Sequence, residues 1–245
     1  MNPTPIALQL WSVKDEMRCD FAATVAQVAE IGYRGVELAG YGNLDVQGVD
    51  QTLRDAGLSV TGLHINFDKL SSNLNAVVSD ALLLKTRYVT CSIWPKEQFV
   101  SVAACEGIGL RLAQIGEIFR SFGIRFGFHN HAPEVTQIGG RSGLDWLFDA
   151  AAPRDLVSQP DVYWLHSGGY APAQFLRRYG ARCPLIHIKD HGELGCGPVD
   201  FAELFSIIDD IGAAEWLIVV QEIFNYAPLE AARRNFAQLR AWGRC

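Results

Sequence analysis

The chain has 245 residues, 49% of them hydrophobic, with 21 basic and 27 acidic side chains and a net charge of −6. That length and apolar content suit one α/β domain with a sizeable core, so a single domain spanning 1–245 is expected, and the acidic balance argues against a nucleic-acid partner held through its phosphates. No apolar run approaches the roughly 20 residues of a membrane helix, the N-terminus Met1-Asn-Pro-Thr-Pro5 lacks the pattern of a secretory leader, and six scattered cysteines without a CxxC pair read as thiols of a reducing compartment. The expectation is a soluble, cytoplasmic protein without a membrane partner.

Along the chain one theme recurs: a helical pattern, a glycine, then a short apolar strand. Phe21 to Ile31 is amphipathic and stops at Gly32, before Gly35-Val-Glu-Leu38. Val49 to Ala56 stops at Gly57, and Leu110 to Phe122 stops at Gly123. A glycine just past a helix closes it in a left-handed conformation. Eight strands are expected: Ile6–Trp11, Gly35–Leu38, Val60–Ile65, Tyr88–Ile93, Arg125–His129, Asp161–Leu165, Leu185–Ile188 and Leu217–Glu222. Helical segments separate them, including one near Leu74 to Leu84 and a last one from Leu229 to Trp242, while Pro95 to Gly109 reads as a longer loop with helical content. The strands lack clean alternation, as expected when both faces are covered. Eight alternating units give an α/β fold, a single (β/α)₈ TIM barrel with a parallel eight-stranded core. An open doubly wound sheet is the alternative, and no GxGxxG follows the first strand to support it.

The ends of these strands carry the chemistry. In chain order they offer Gln9 and Trp11, Glu37, His64 with Asn66, Cys91 to Trp94, His129-Asn130-His131, Asp161 with Trp164 and His166, His187 with Lys189 and Asp190, and Glu222. A polar group inside an apolar run must be paired or liganded, and one such group recurs at nearly every strand. On a closed parallel barrel this is the active-site face. The mixture of imidazole and carboxylate suits one divalent metal ion, Mn²⁺ or Zn²⁺ ahead of Mg²⁺. Glu37 and Glu222 are the candidates for proton transfer next to a carbonyl, with His131 or His64 as the alternative acid–base. Gln9, Trp11, His64, Trp94, Asn130, Lys189 and Asp190 are candidate substrate contacts. For each there is a plainer reading. Lys189 and Asp190 can form a strand-end salt bridge, Trp11 and Trp94 can be core, and Glu37 can pair with a neighbouring cation.

Leu8-Gln-Leu-Trp-Ser-Val13, Ile31-Gly-Tyr-Arg-Gly-Val-Glu-Leu38, Gly127-Phe-His-Asn-His131, Asp161-Val-Tyr-Trp164, Leu185-Ile-His-Ile-Lys-Asp190, Leu194-Gly-Cys-Gly-Pro-Val-Asp-Phe201 and Val220-Gln-Glu222 together resemble the xylose isomerase-like superfamily of sugar isomerases and epimerases. The resemblance implies a barrel with one divalent ion at its C-terminal mouth, held by Glu, Asp, His and Glu from strands five to eight. His187 and Glu222 match the last two positions and Asp161 the second. His129 stands where the family has its first glutamate, in a Phe-His-Asn-His variant similar to sugar phosphate isomerases. The implied metal set is therefore His129, Asp161, His187 and Glu222, and the implied activity is sugar or sugar phosphate isomerisation or epimerisation. A keto-sugar or inosose lyase or dehydratase on the same site is the second reading, and a non-catalytic sugar-binding barrel the third. The partner is a small carbohydrate, and self-association stays open because oligomers are common in this fold.

Overall fold

The computed structural model describes residues 3–245. Eight parallel strands make one sheet: β1 (Ile6–Gln9), β2 (Gly35–Leu38), β3 (Ser59–Ile65), β4 (Tyr88–Cys91), β5 (Arg125–His129), β6 (Val157–Gln159), β7 (Leu185–Ile188) and β8 (Trp216–Val219). Their order is β6-β5-β4-β3-β2-β1-β8-β7. The ring closes between β6 and β7, where Asp161 and His187 form a parallel bridge and the His187 N–H donates to the Pro160 carbonyl at 2.9 Å. Among the described residues ten α-helices follow: α1 (Lys14–Cys19), α2 (Phe21–Ile31), α3 (Val46–Asp55), α4 (Phe67–Leu83), α5 (Val102–Ser121), α6 (Gly143–Asp149), α7 (Val162–Ser167), α8 (Pro172–Tyr179), α9 (Phe201–Ile211) and α10 (Pro228–Ala241). The architecture is the expected single (β/α)₈ barrel. No helix among the described residues is long and apolar enough to cross a membrane.

Several elements differ from the sequence reading. The sixth strand is Val157–Gln159, not Asp161–Leu165. Pro160 interrupts the strand, and the Asp161 side chain accepts the Trp164 N–H at 2.8 Å, which starts α7. An aspartate three residues ahead of a free helix N–H is a cap, and here it outweighs the strand preference of the run Val162-Tyr-Trp164. The first strand ends at Gln9 and turns into a 3₁₀ segment, Leu10–Val13, while the fourth and eighth stop at Cys91 and Val219. The expected loop before Gly109 is mostly helical: Lys96–Gln98 form a 3₁₀ turn and Ser101 caps α5 through the Ala104 N–H, leaving only Pro95 and Phe99 to Ser101 irregular. The helix expected near Leu74 begins earlier, at Phe67, with a break at Asn73. Asp200 caps α9 through the Glu203 N–H at 3.1 Å.

Strand alternation sorts the interior into layers. Side chains two residues apart on one strand share a face. Ala7, Tyr88, Leu185 and Ile218 form a buried cluster that plugs the barrel. Two residues further along the same strands come Gln9, Thr90, His187 and Val220. The odd partners, such as Ile186 and Ile188 on β7, join the larger core under the helices. Each inward face thus runs from apolar floor to polar mouth.

One helix contact leaves no room for a side chain. On α5, a Cβ at Gly109 would lie 2.1 Å from the Leu147 carbonyl oxygen, and a Cβ at Gly116 would lie 1.6 Å from that of Asp155. The two glycines are two helical turns apart and form one stripe. Because the opposing atoms are backbone, they cannot rotate away. Gly116→Ala is expected to destabilise the fold by about 1–3 kcal/mol or more, read as a lower urea midpoint, whereas Gly107→Ala, with open space at its Cβ, should not.

Candidate active site

The C-terminal mouth of the barrel holds a cavity of about 320 Å³. Gln9, Trp11, His64, His129, His131, Asp161, His187, Lys189 and Glu222 line it, so most of the residues expected from the sequence meet there.

Beneath the cavity lies Glu37, completely buried. Its carboxylate accepts hydrogen bonds from Gln9 Nε2 at 2.5 Å, from His187 Nε2 at 2.7 Å and from Gln159 Nε2. Burial alone would raise this carboxyl, but the imidazoles of His187 and His64 and the bonds from His187 and Gln159 outweigh it and hold it at about 2. Since an ionised carboxylate only accepts, His187 must carry its proton on Nε2. Gln9 is also tied at its other end, where Oε1 accepts the Trp11 N–H at 3.0 Å.

Above Glu37 the imidazoles gather. His64, His129 and His187 bring ligand atoms within 4.8 Å of one another. The His64 and His129 rings lie 4.7 Å apart, and His129 is 4.6 Å from His187 and 4.8 Å from His131. Burial, with the neighbouring imidazoles adding to it, lowers His64 to about 3, His131 to about 4, and His129 well below the ordinary value. All three are neutral near pH 7. Buried nitrogens His64 Nε2, His129 Nδ1 and His131 Nδ1 have no protein partner, and such groups call for a water or an ion.

Nearest the mouth, Lys189 is buried and forms an ion pair with Glu222, whose side chain is 34% exposed. The Lys189 ammonium lies 4.0 Å from Asp161 Oδ2 and 4.3 Å from the centre of the Trp164 ring. Burial raises the Asp161 carboxyl while Lys189 and His187 oppose it. One Asp161 oxygen caps α7; the other has no hydrogen-bond donor. A cation is thus already in place between two of the four family-implied metal ligands, and it is a lysine.

Three expected contacts sit elsewhere. Asn130 points its Oδ1 at the Asp161 N–H, 3.1 Å away, tying β5 to the end of β6. Asp190 accepts the N–H groups of His191, Gly195 and Gly197 at 2.9, 3.1 and 3.0 Å, so it shapes the loop after β7. Trp94 is buried against Phe67, ring centres 3.9 Å apart, and lines a second cavity beside the first. Sequence reading missed Gln159. It ends the apolar run Leu156-Val157, the same signal used for the other strands, but Asp161–Leu165 reads as the sixth strand and masks it. Glu134, buried and accepting the His131 N–H at 2.9 Å, also went unread, because it belongs to a turn rather than a strand end.

Solved structures share this architecture. A sugar phosphate isomerase/epimerase from Parabacteroides distasonis superposes with a TM-score of 0.87 at 21% identity, covering 97% of this chain and 98% of that one. An L-ribulose 3-epimerase gives 0.73 at 16% identity, over 100% and 95%. A probable 3-DHS dehydratase from Bacillus anthracis gives 0.75 at 15%, over 96% and 98%. At these identities the likeness establishes the barrel. No curated protein matches. The family described as xylose isomerase-like TIM barrel matches residues 25–242, nearly the whole sequence, and the chain belongs to it.

Proposed function

We propose that the protein is a sugar isomerase or epimerase that moves a proton on the carbon next to a carbonyl. One observation carries this reading: Lys189 and Glu222 form an acid–base pair on the wall of a substrate-sized cavity whose deeper wall is a group of neutral imidazoles. The relatives named above include isomerases and epimerases, in agreement with it.

The roles follow from how each group is held. Glu222 is partly exposed at the cavity wall and is held by a single neighbour, Lys189, so it is the carboxylate placed to take the proton. Lys189 then faces the oxyanion that the substrate develops, and favours it electrostatically. Glu222, protonated by that step, hands the proton back to the substrate, while His131, neutral and beside Trp164 across the cavity, is placed to hydrogen-bond the substrate rather than to supply a proton. Glu37, also expected to transfer protons, has both oxygens engaged by three donors. That suits a positioning residue, which fixes the His187 tautomer and ring.

A divalent ion fits the donor set. Neutral imidazoles with unpartnered buried nitrogens suit Zn²⁺, and Mn²⁺ and Mg²⁺, which favour oxygen ligands, are poorer matches to such a set. We assign the ion to His64, His129 and His187, because Lys189 competes for Asp161 and Glu222. When bound, the ion would polarise the carbonyl and its neighbouring hydroxyl.

Three results test this reading. Glu222→Gln, whose amide oxygen can still accept from the buried Lys189, should lower turnover of a sugar substrate by on the order of 10²-fold or more while the protein stays folded; near-native turnover rules out the base assignment. In protein stripped by chelator and titrated with Zn²⁺ in a calorimeter, His129→Ala should lose stoichiometric uptake and Asp161→Asn should keep it; the opposite order restores the strand-five-to-eight set. The third concerns pH. His64 and His131 titrate near 6.5 when unfolded but only at about 3 and about 4 when folded. Below about 6.5 the unfolded chain therefore binds more protons, and stability falls with pH. Glu37 acts in the same direction, its contribution being lost as pH drops from 4.5 towards about 2. Melting temperature should be level near neutrality and decline through the mildly acidic range, less steeply in His64→Gln.

A further inference from the structure

Next to the inner cavity lies a second one of about 560 Å³. Asn66, Ile93, His131 and Trp164 line both, so the two are continuous. Its walls are largely apolar: the paired rings of Phe67 and Trp94, with Pro95 and Pro133. Ile93, at the junction, is 52% exposed, and Trp11, on the far rim, is 43% exposed. Aromatic and aliphatic surface left open beside a polar pocket is a place for an apolar group.

The charges point the same way. Five carboxylates line the joined cavities, namely Asp68, Glu97, Glu134, Asp161 and Glu222, against two lysines, Lys96 and Lys189. Lys189 is already paired, and no arginine lines either space. The helix start in the wall offers no anion site, because Asn66 caps α4 through the Lys69 N–H and Asp68 occupies its first turn. Of the two lysines only the exposed Lys96 is unpaired, and it shares its wall with Asp68, Glu97 and Glu134, so a phosphate would enter a net negative field at a cost in both desolvation and repulsion.

We propose that the substrate is an unphosphorylated sugar bearing a flat apolar substituent. The sugar ring occupies the inner cavity and the substituent lies along Phe67, Trp94 and Trp164. This rests on the isomerase reading only for the placement of the sugar.

The test is calorimetric binding of matched methyl and phenyl glycosides of glucose, galactose, mannose and xylose, together with glucose 6-phosphate. For at least one sugar, the phenyl glycoside should bind about tenfold or more tightly than the methyl glycoside, equivalent to about 1.4 kcal/mol. Glucose 6-phosphate should bind no better than glucose. Trp94→Ala should collapse the phenyl-to-methyl ratio, and Ile93→Asp, a partly exposed position that tolerates a charge, should do so without threatening the fold. A ratio near one for every sugar, a ratio that survives both substitutions, or tighter binding of the phosphate overturns the proposal. A phenyl preference without interconversion of free glucose, galactose, mannose or xylose, whose open-chain forms supply the carbonyl that a glycoside lacks, keeps the substituent site and counts against the isomerase reading instead.

Discussion

A carboxylate sealed inside a barrel has to be answered by donors on other strands, and Glu37 sets that requirement here. Its partners come from β1, from the end of β6 and from β7, so one side chain on β2 draws on a large part of the ring. Unpaired, a buried charge costs several kcal/mol. The register that satisfies it is also the register that turns His64, His129 and His187 towards one another. The position of the imidazoles is in this sense a by-product of satisfying Glu37. The plug of Ala7, Tyr88, Leu185 and Ile218 below keeps water out and makes that satisfaction obligatory.

The seam of the barrel lies where the site is most crowded. β6 has only three residues, and Pro160 ends its pairing. The chain then turns into α7 under the cap of Asp161, while the bridge to His187 completes the ring. One aspartate therefore closes the barrel, starts a helix and presents its second oxygen to Lys189. Asn130 braces the same point from β5. Crowding of this kind explains why the group implied as a metal ligand is also a structural one.

Much of this was legible in the sequence, for physical reasons. Buried parallel strands need apolar runs, helices need a stop, and glycine supplies it, so the fold could be read from runs such as Leu185 to Ile188 and stops such as Gly123. Polar residues at run ends marked the mouth, and most of them meet there. What escaped depended on local competition. A run of Val, Tyr and Trp reads as strand unless the capping reach of Asp161 is weighed, and that error hid Gln159. Which cation meets Asp161 and Glu222 was also hidden, because Lys189 follows its strand by a single residue and the sequence does not say whether its long side chain turns to solvent or inward. Asp190 looked like a substrate contact because its place at a strand end does not announce that its oxygens serve the backbone.

That loop has a thermodynamic consequence. With three of its amides gathered on Asp190, and with no space for a side chain at Gly197, where a Cβ would lie 2.0 Å from Asp190 Oδ1, the segment from His191 to Gly197 is already folded in the free protein. Ordering a mobile loop on binding subtracts from affinity. Here that entropy is spent once, during folding, and not again with each substrate molecule, so this side of the mouth acts as a fixed wall against which a ligand is received.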